Sequence, residues 1–354
     1  MPYGTVNADV ITTSTAGGVL GAGDASLLKN RLINGSMVID QRNAGASVTA
    51  TASTTYTLDR WCYSATQASK FTVQQNAGSV TAPVGFKNYL GATSSSAYTV
   101  GASEVFLIRQ FIEGYNVSDL GWGTANAKTV TLSFQVYSSL TGTFGGSIQN
   151  AAENRSYPFS YTISSANTWT TASVTITGDT TGTWQTTTNT GMAINFSIGS
   201  GSSVSGTAGA WVAGGYTSVT GATSVVGTNG ATLYITGVQL EVGSSATGFE
   251  YVNYQTSLAN CQRYCFAYNG MVGSAKDSGN LYQPMFRMPV TMRTTPTLAS
   301  GSTMTVSAGS SGNWGTYTDT GAVASANNLY LYNTSSNWTV GSNAAINGVF
   351  TAEL

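Results

Sequence analysis

The 354-residue chain has no histidine. Ser-His-Asp and Cys-His nucleophilic arrangements are therefore excluded within one chain. Cysteine is nearly as scarce. Cys62, Cys261 and Cys265 are an odd three, too few for a disulfide framework and, without histidine, for a closed zinc site. They read as reduced, buried thiols that behave as small apolar groups. Charge is also sparse: 13 basic and 14 acidic residues make up 8% of the chain and are scattered singly. With no basic stripe to neutralise phosphates, nucleic-acid binding is not expected. No apolar run is long enough to span a bilayer, and the start lacks the charged and apolar regions of a secretory signal, so membrane insertion is not expected either. The glycine runs GGVLGAG and GSGSSVSG lack the Gly-Lys-Ser/Thr ending of a phosphate loop and read as turns. No cofactor, metal ligand set or catalytic residue is assigned.

What the chain does have is 42 glycines, abundant threonine and serine, and 11% aromatics. That is the composition of short strands and tight turns with enough apolar mass to fold. In KTVTLSFQVY, Val130, Leu132, Phe134 and Val136 share one face, and Thr129, Thr131, Ser133 and Gln135 the other. GMAINFSIG repeats the pattern with Met192, Ile194, Phe196 and Ile198. Strict alternation with a polar partner face predicts antiparallel sheets covered on one side only. VFLIRQFIEG, residues 105–114, is apolar on both faces and predicts a more deeply buried strand. ATLYITGVQLEVG changes phase at Gly237, which predicts a bulge there.

The expected fold is all-β: a jelly-roll-like antiparallel sandwich over residues 31–252, then a short helix and a smaller C-terminal β-domain over 253–354. The helix is expected near residues 255–268. Thr256 or Ser257 would cap it, Leu258, Cys261, Cys265 and Tyr268 would form its apolar stripe, and Gly270 would end it. Residues 1–30 hold too few large apolar groups to form a core and are expected to be an extended attachment arm held by another chain.

Among candidate binding residues, Trp314 in SGNWGTY and Trp338 in TSSNWTV stand in polar, glycine-containing contexts that suggest exposed loops. With Tyr317 they are candidates for stacking on a sugar ring, whose weakly positive C–H bonds suit the negative face of an aromatic. Subunit contacts favour exposed tryptophan equally. Trp61, after Asp59 and Arg60, reads as a core aromatic beside a buried arginine. Asp59 and Glu113 read as ion-pair partners that order loops rather than as a hydrolytic pair. Arg263 and Arg293, in CQRYC and TMRTTP, are expected to pair with carboxylates or cap carbonyls at the domain junction.

Several segments carry a resemblance: NRLINGSMVIDQRNAG, YTLDRW, LIRQFIEG, VTLSFQVYSSLTGTFGG, ITGVQLEVGSSATGFE, LANCQRYC, MRTTP and the final TAEL. In this order they resemble a widespread family of phage tail-fibre and virion structural proteins and cover most of residues 30–354. The sequence departs from the pattern at SFQV, where Gln135 stands in place of the family's usual aromatic. The resemblance implies a jelly roll similar to carbohydrate-binding modules, often in trimeric fibres. It implies a virion protein made in the host cytoplasm, a homotrimer, attached to other virion proteins through residues 1–30. It would present its β-domains to a host cell-surface glycan. A capsid-decorating or head-fibre role is the alternative, favoured by the lack of shaft repeats. A polysaccharide depolymerase built on two carboxylates is a third, weaker reading.

Overall fold

The computed structural model describes residues 28–268, 288–297, 299 and 348–354 in full, and elsewhere the backbone of short strands. Of the arm, only an antiparallel pairing of Ile11–Thr12 with Val19–Leu20 is described. The rest of residues 1–27 lies outside the described residues.

Two antiparallel sheets enclose one apolar core, giving a jelly-roll-like sandwich. The six-stranded sheet runs in the order Thr170–Ile176, Val130–Ser138, Thr232–Val242, Leu90–Ser94, Phe71–Gln75, Val48–Thr49. The seven-stranded sheet runs Val212–Ala213, Arg155–Ile163, Gly142–Asn150, Thr190–Ser200, Val105–Glu113, Trp61–Ala65, Thr54–Leu58. Because side chains alternate across a strand, Val130, Leu132, Phe134 and Val136 of one sheet meet Met192, Ile194, Phe196 and Ile198 of the other, and all are buried. Trp61 lies at 0% exposure in this core, with Arg60 at 1% beside it.

The phase change at Gly237 is a bulge. The register with Val130–Ser138 shifts between Thr236 and Gln239, and Gly237 takes φ +59°. A Cβ there would come within 2.5 Å of the Phe86 ring, so both backbone and packing call for glycine.

One α-helix is described, Tyr254–Gln262, and its ends differ from expectation. Its cap is Asn253, whose side chain accepts from the Thr256 amide at 2.9 Å, rather than Thr256 or Ser257. Its end is Gln262 rather than Gly270, because Cys265–Asp277 leaves the helix as a strand pairing with Asn343–Thr351. Cys261 and Cys265 are both buried but belong to two different elements. Beyond the helix, the described strands form a six-stranded order built around Asn343–Thr351 and a three-stranded sheet.

The expectation that both sheets are covered on one side only fails at the centre of the six-stranded sheet, where Thr131, Thr236, Gln239 and Glu241 lie at 1%, 0%, 0% and 2% exposure, and more widely for the seven-stranded sheet. On its polar face, Ser147, Gln149 and Asn195 are at 0% exposure and Ser197 at 2%. Residues 201–219, the segment from Tyr264, and Arg293 with Glu353 pack over that face. Among the described residues, no helix is long and apolar enough to cross a membrane.

Candidate functional site

Three places gather polar or aromatic side chains in ways a core does not require.

The first is the junction between sandwich and C-terminal segment. Arg60 lies at φ +68°, fully buried, with its guanidinium 3.6 Å above the Tyr264 ring and paired to the Glu353 carboxylate. Arg42 meets the other oxygen of Glu353 at 2.8 Å. Burial opposes charge on Arg60, but the adjacent Glu353 carboxylate outweighs it and holds the guanidinium firmly protonated. Arg263 forks onto Glu113 at 2.6 and 3.0 Å, and the Tyr264 hydroxyl also donates to Glu113. Burial would raise the Glu113 carboxyl, yet these hydrogen bonds bring it below the usual carboxylate range. Arg293 donates to the carbonyls of Ala352, Glu353 and Thr188 at 2.7, 2.6 and 3.2 Å. A cavity of about 350 Å³ opens beside it, lined by Ala151, Gln185, Asn189, Thr190, Arg293 and Leu354. Glu113 thus pairs with Arg263 rather than with its sequence neighbour Arg109. Asp59 accepts two hydrogen bonds from Gln41, both at 2.6 Å, and burial pushes its carboxyl up to about 6. Burial also pushes the Cys62 thiol up to about 12, as expected for an inert core cysteine.

The second place is the outer face of the six-stranded sheet. Tyr137 and Tyr234, on neighbouring strands, lie nearly parallel at 5.3 Å and 4°. Tyr89 stacks on Tyr234 at 5.2 Å. Trp169 closes the group, 5.4 Å from Tyr89 and 5.5 Å from Tyr137. Gly91 makes this possible, since a Cβ there would meet Tyr234 at 2.6 Å. The Trp169 indole N–H donates to the Thr81 carbonyl at 2.8 Å, which fixes the ring while leaving it, like Tyr137, half-buried. Around it stand uncharged groups. Gln135 and Thr171 exchange hydrogen bonds at 2.9 and 3.1 Å, and the Tyr137 hydroxyl reaches Asn167 at 3.2 Å. Flat aromatic surface bordered by amides and hydroxyls can stack an apolar ring face and bond the hydroxyls at its edge.

The third place is the covered face of the seven-stranded sheet. One cross-strand row runs Ser147, Asn195, Arg109, Cys62. Gln149 accepts from Asn195 at 2.7 Å, and Glu153 from Arg109 at 2.6 Å.

The remaining tryptophans of the sandwich close its end. Trp122, Trp184 and Trp211 meet edge to face at 4.8 to 5.4 Å, and each indole N–H has a partner in Lys128, Asp179 or Thr177. Arg155 forks onto Asp179 beside them at 2.7 and 2.8 Å.

Of the residues singled out from sequence, Arg263 and Arg293 come together at the junction. Trp314 and Tyr317 fall in the strand Asn313–Tyr317, paired in register with Ser307 and Met304, rather than in a loop. Glycine and asparagine around Trp314 read as turn signals, and pairing with Thr303–Ala308 overrides them. Trp338 lies outside the described residues. Trp169, Tyr137 and Arg109 were not singled out from the sequence. The signal available was Tyr137 and Tyr234 at polar-face positions of their strands.

No known protein-family profile matches the chain, and no curated protein matches it in sequence. Solved structures with similar strand arrangements include the enzymatically active domain of tailspike protein 4 of bacteriophage CBA120. There the identity is 13% and the TM-score 0.35, over 61% of this chain and 22% of that one. A family 4 carbohydrate-binding module aligns at 16% identity and TM-score 0.29, over 59% of this chain and 98% of its own. The family 11 module from Clostridium thermocellum, solved with a β-1,3-1,4-mixed-linked tetrasaccharide, aligns at 10% identity and TM-score 0.28, over 58% and 100%.

Proposed function

We propose that the chain is a phage virion structural protein of the tail-fibre or receptor-binding type, which binds host-surface glycan without hydrolysing it. The half-buried Trp169–Tyr137 face carries this reading. It is preorganised, uncharged and bordered by hydrogen-bonding amides and hydroxyls, which suits a neutral sugar ring. The virion assignment rests on the sequence resemblance, and with it the arm at residues 1–30, the domains at 31–252 and 253–354, and the homotrimer. Trp314, Tyr317 and Trp338 remain the candidates for a second glycan contact in the C-terminal domain.

Hydrolysis is disfavoured by how the acids are used. Glu113, Glu153, Asp179 and Glu353 are each paired with an arginine. Asp59, the carboxyl that burial raises, is at 0% exposure and out of reach of a polymer.

Glycan-array binding of the purified chain tests the proposal. Trp169→Ala should weaken binding of a neutral glycan about fivefold, the worth of one stacking contact, with the fold retained by circular dichroism. Undiminished binding in that variant and in Trp314→Ala with Trp338→Ala would refute recognition through these rings. Shortening of the polysaccharide during incubation would refute the non-catalytic role.

One observation favours the decorating alternative. Val84, Tyr251 and Tyr254 are 102%, 64% and 57% exposed, and Phe86 packs with Tyr251 and Phe249 at 5.8 and 5.0 Å. Such apolar exposure fits cover by another subunit. Deletion of residues 1–29 should leave the sandwich folded and abolish incorporation into the virion, and electron microscopy of labelled particles would distinguish head from tail.

A further inference from the structure

The cavity beside Arg293 borders a cation that no carboxylate neutralises. Arg31, Arg42, Arg60, Arg109, Arg155 and Arg263 each form an ion pair with an acidic side chain. Arg293 is the exception among the arginines whose side chains are described. It donates to the carbonyls of Ala352, Glu353 and Thr188, which takes three of its five N–H groups. These carbonyls hold the guanidinium in place without cancelling its charge. The carboxylates of the junction are already engaged. Glu113, which feels the charge of Arg293, is forked by Arg263 and bonded by Tyr264. The Glu353 carboxylate stands between Arg42 and Arg60. Leu354 accepts from the Tyr56 hydroxyl at 3.1 Å.

The cavity has about 350 Å³, within the roughly 300–1,000 Å³ of small-molecule sites. Its wall is open to solvent: Gln185 and Asn189 are exposed, and Thr190 and Arg293 half-buried. The loop that carries Gln185, Asn189 and Thr190 is braced by the turn at residues 114–116. There the Gly114 amide donates to the Asn189 carbonyl at 2.8 Å and the Tyr115 amide to the Thr187 carbonyl at 3.0 Å. A Cβ at Gly114 would meet the Gln185 carbonyl at 2.6 Å, so glycine lets the turn press against that wall. The next residue, Tyr115, is 59% exposed. One open cavity thus gathers a fixed cation, two primary amides and a hydroxyl, with an exposed aromatic on the adjoining turn.

We propose that this cavity is a subsite for an acidic saccharide: Arg293 receives its carboxylate or phosphate ester, and Gln185, Asn189 and Thr190 its hydroxyls. An anion on Arg293 gains a charge-assisted hydrogen bond to a donor already fixed in place. Sugar hydroxyls, each both donor and acceptor, match amides that offer both. Tyr115 supplies a ring face at the rim. The inference rests on the glycan-binding reading above and adds a charged subsite apart from the neutral stacking face at Trp169.

The test is equilibrium binding of the full chain to sialylated, uronate-containing and phosphate-substituted oligosaccharides, to their neutral counterparts and to a glutamate-rich peptide. The wild type should bind an acidic glycan about tenfold more tightly than its neutral counterpart, the size of one charge-assisted hydrogen bond. Which acidic arm binds identifies the charged group. Gln185→Glu sets a carboxylate beside Arg293 from an exposed position and should weaken acidic binding about tenfold. Arg293→Gln should abolish it. Should that variant misfold, Gln185→Glu on the exposed loop still decides the matter. Equal affinity of wild type and Gln185→Glu, or of an acidic glycan and its neutral counterpart, overturns the proposal. Equal binding of the acidic peptide overturns the saccharide assignment. Neutral-glycan binding that is lost in Trp169→Ala, with no acidic binding, overturns this inference alone. No binding to any glycan would sink both readings.

Discussion

The edge strand of the six-stranded sheet and the outer face of the seven-stranded sheet are written in nearly the same alphabet and meet opposite fates. On the edge strand Thr170–Ile176 of the six-stranded sheet, Thr171, Ser173 and Thr175 alternate with core residues and stand in water, while nearer the centre of that sheet Thr131, Thr236, Gln239 and Glu241 are buried. On the seven-stranded sheet, Ser147, Gln149, Asn195 and Ser197 alternate just as strictly and are buried. The difference lies in what each face is given to bond. Thr171 and Gln135 satisfy one another and solvent, so that edge needs no cover. The other face carries Arg60, Arg109 and Glu113 among its neutral amides, and such groups are tolerated under a roof only when paired. The pairing partners come from far away in sequence: Glu353 for Arg60, Arg263 for Glu113, Glu153 for Arg109. A polar sheet face is therefore not by itself a solvent face. Here the Thr170–Ile176 edge stays open, and the seven-stranded face is a buried electrostatic seam that fastens the C-terminal segment.

Glu353→Ala should produce the largest break in this contrast. It strands Arg60 in the interior and should cost about 3–5 kcal/mol, read as a fall in the urea midpoint. A loss below about 1 kcal/mol would mean that the C-terminal segment does not fasten the buried face.

Asp59 comes next, through pH. Its folded pKa is about 6, above the ordinary 3.8, so it favours the fold in its protonated form. That contribution is full below about pH 4, the unfolded value, and lost as pH rises through 6, up to about 3 kcal/mol in all. Asp59→Asn should remove this slope. Unfolding curves for the two proteins should therefore draw apart or together between pH 4 and 7, and parallel curves would contradict the burial of that carboxyl.

A matched pair of smaller changes sharpens the comparison. Asn195→Ala removes donors to Ser147 and Gln149 at 2.9 and 2.7 Å and should cost about 1–3 kcal/mol. Thr171→Ala, on the open face, should cost no more than about 0.5 kcal/mol. Equal losses in thermal unfolding would show that the edge strand and the seven-stranded face are equally covered.

Much of this fold is legible in local pattern. Alternation marks the strands Val130–Ser138 and Thr190–Ser200, the phase slip at Gly237 marks a bulge, and the Asp59–Arg60–Trp61 step marks a core aromatic beside a buried arginine. The helix was legible as an element but not at its ends, because Asn253 caps through a side chain and Cys265 is captured by its strand partner Thr351, 86 residues later. The site was less legible. Tyr137 and Trp169 are far apart in sequence terms from Tyr89 and Tyr234, and only strand order lays them on one surface. Trp314 looked like a loop residue until its strand found Thr303–Ala308.

The sequence by itself determined which residues share a face, because that follows from a two-residue period carried by every strand. It also determined that no histidine chemistry operates in the chain. Only the tertiary structure decided which polar-face positions would be sealed, which carboxylate each arginine would meet, and which aromatic rings would lie side by side. Those are contacts between segments distant along the chain. Their energies depend on burial and on exact partners in space, and neither is written into any short stretch of sequence.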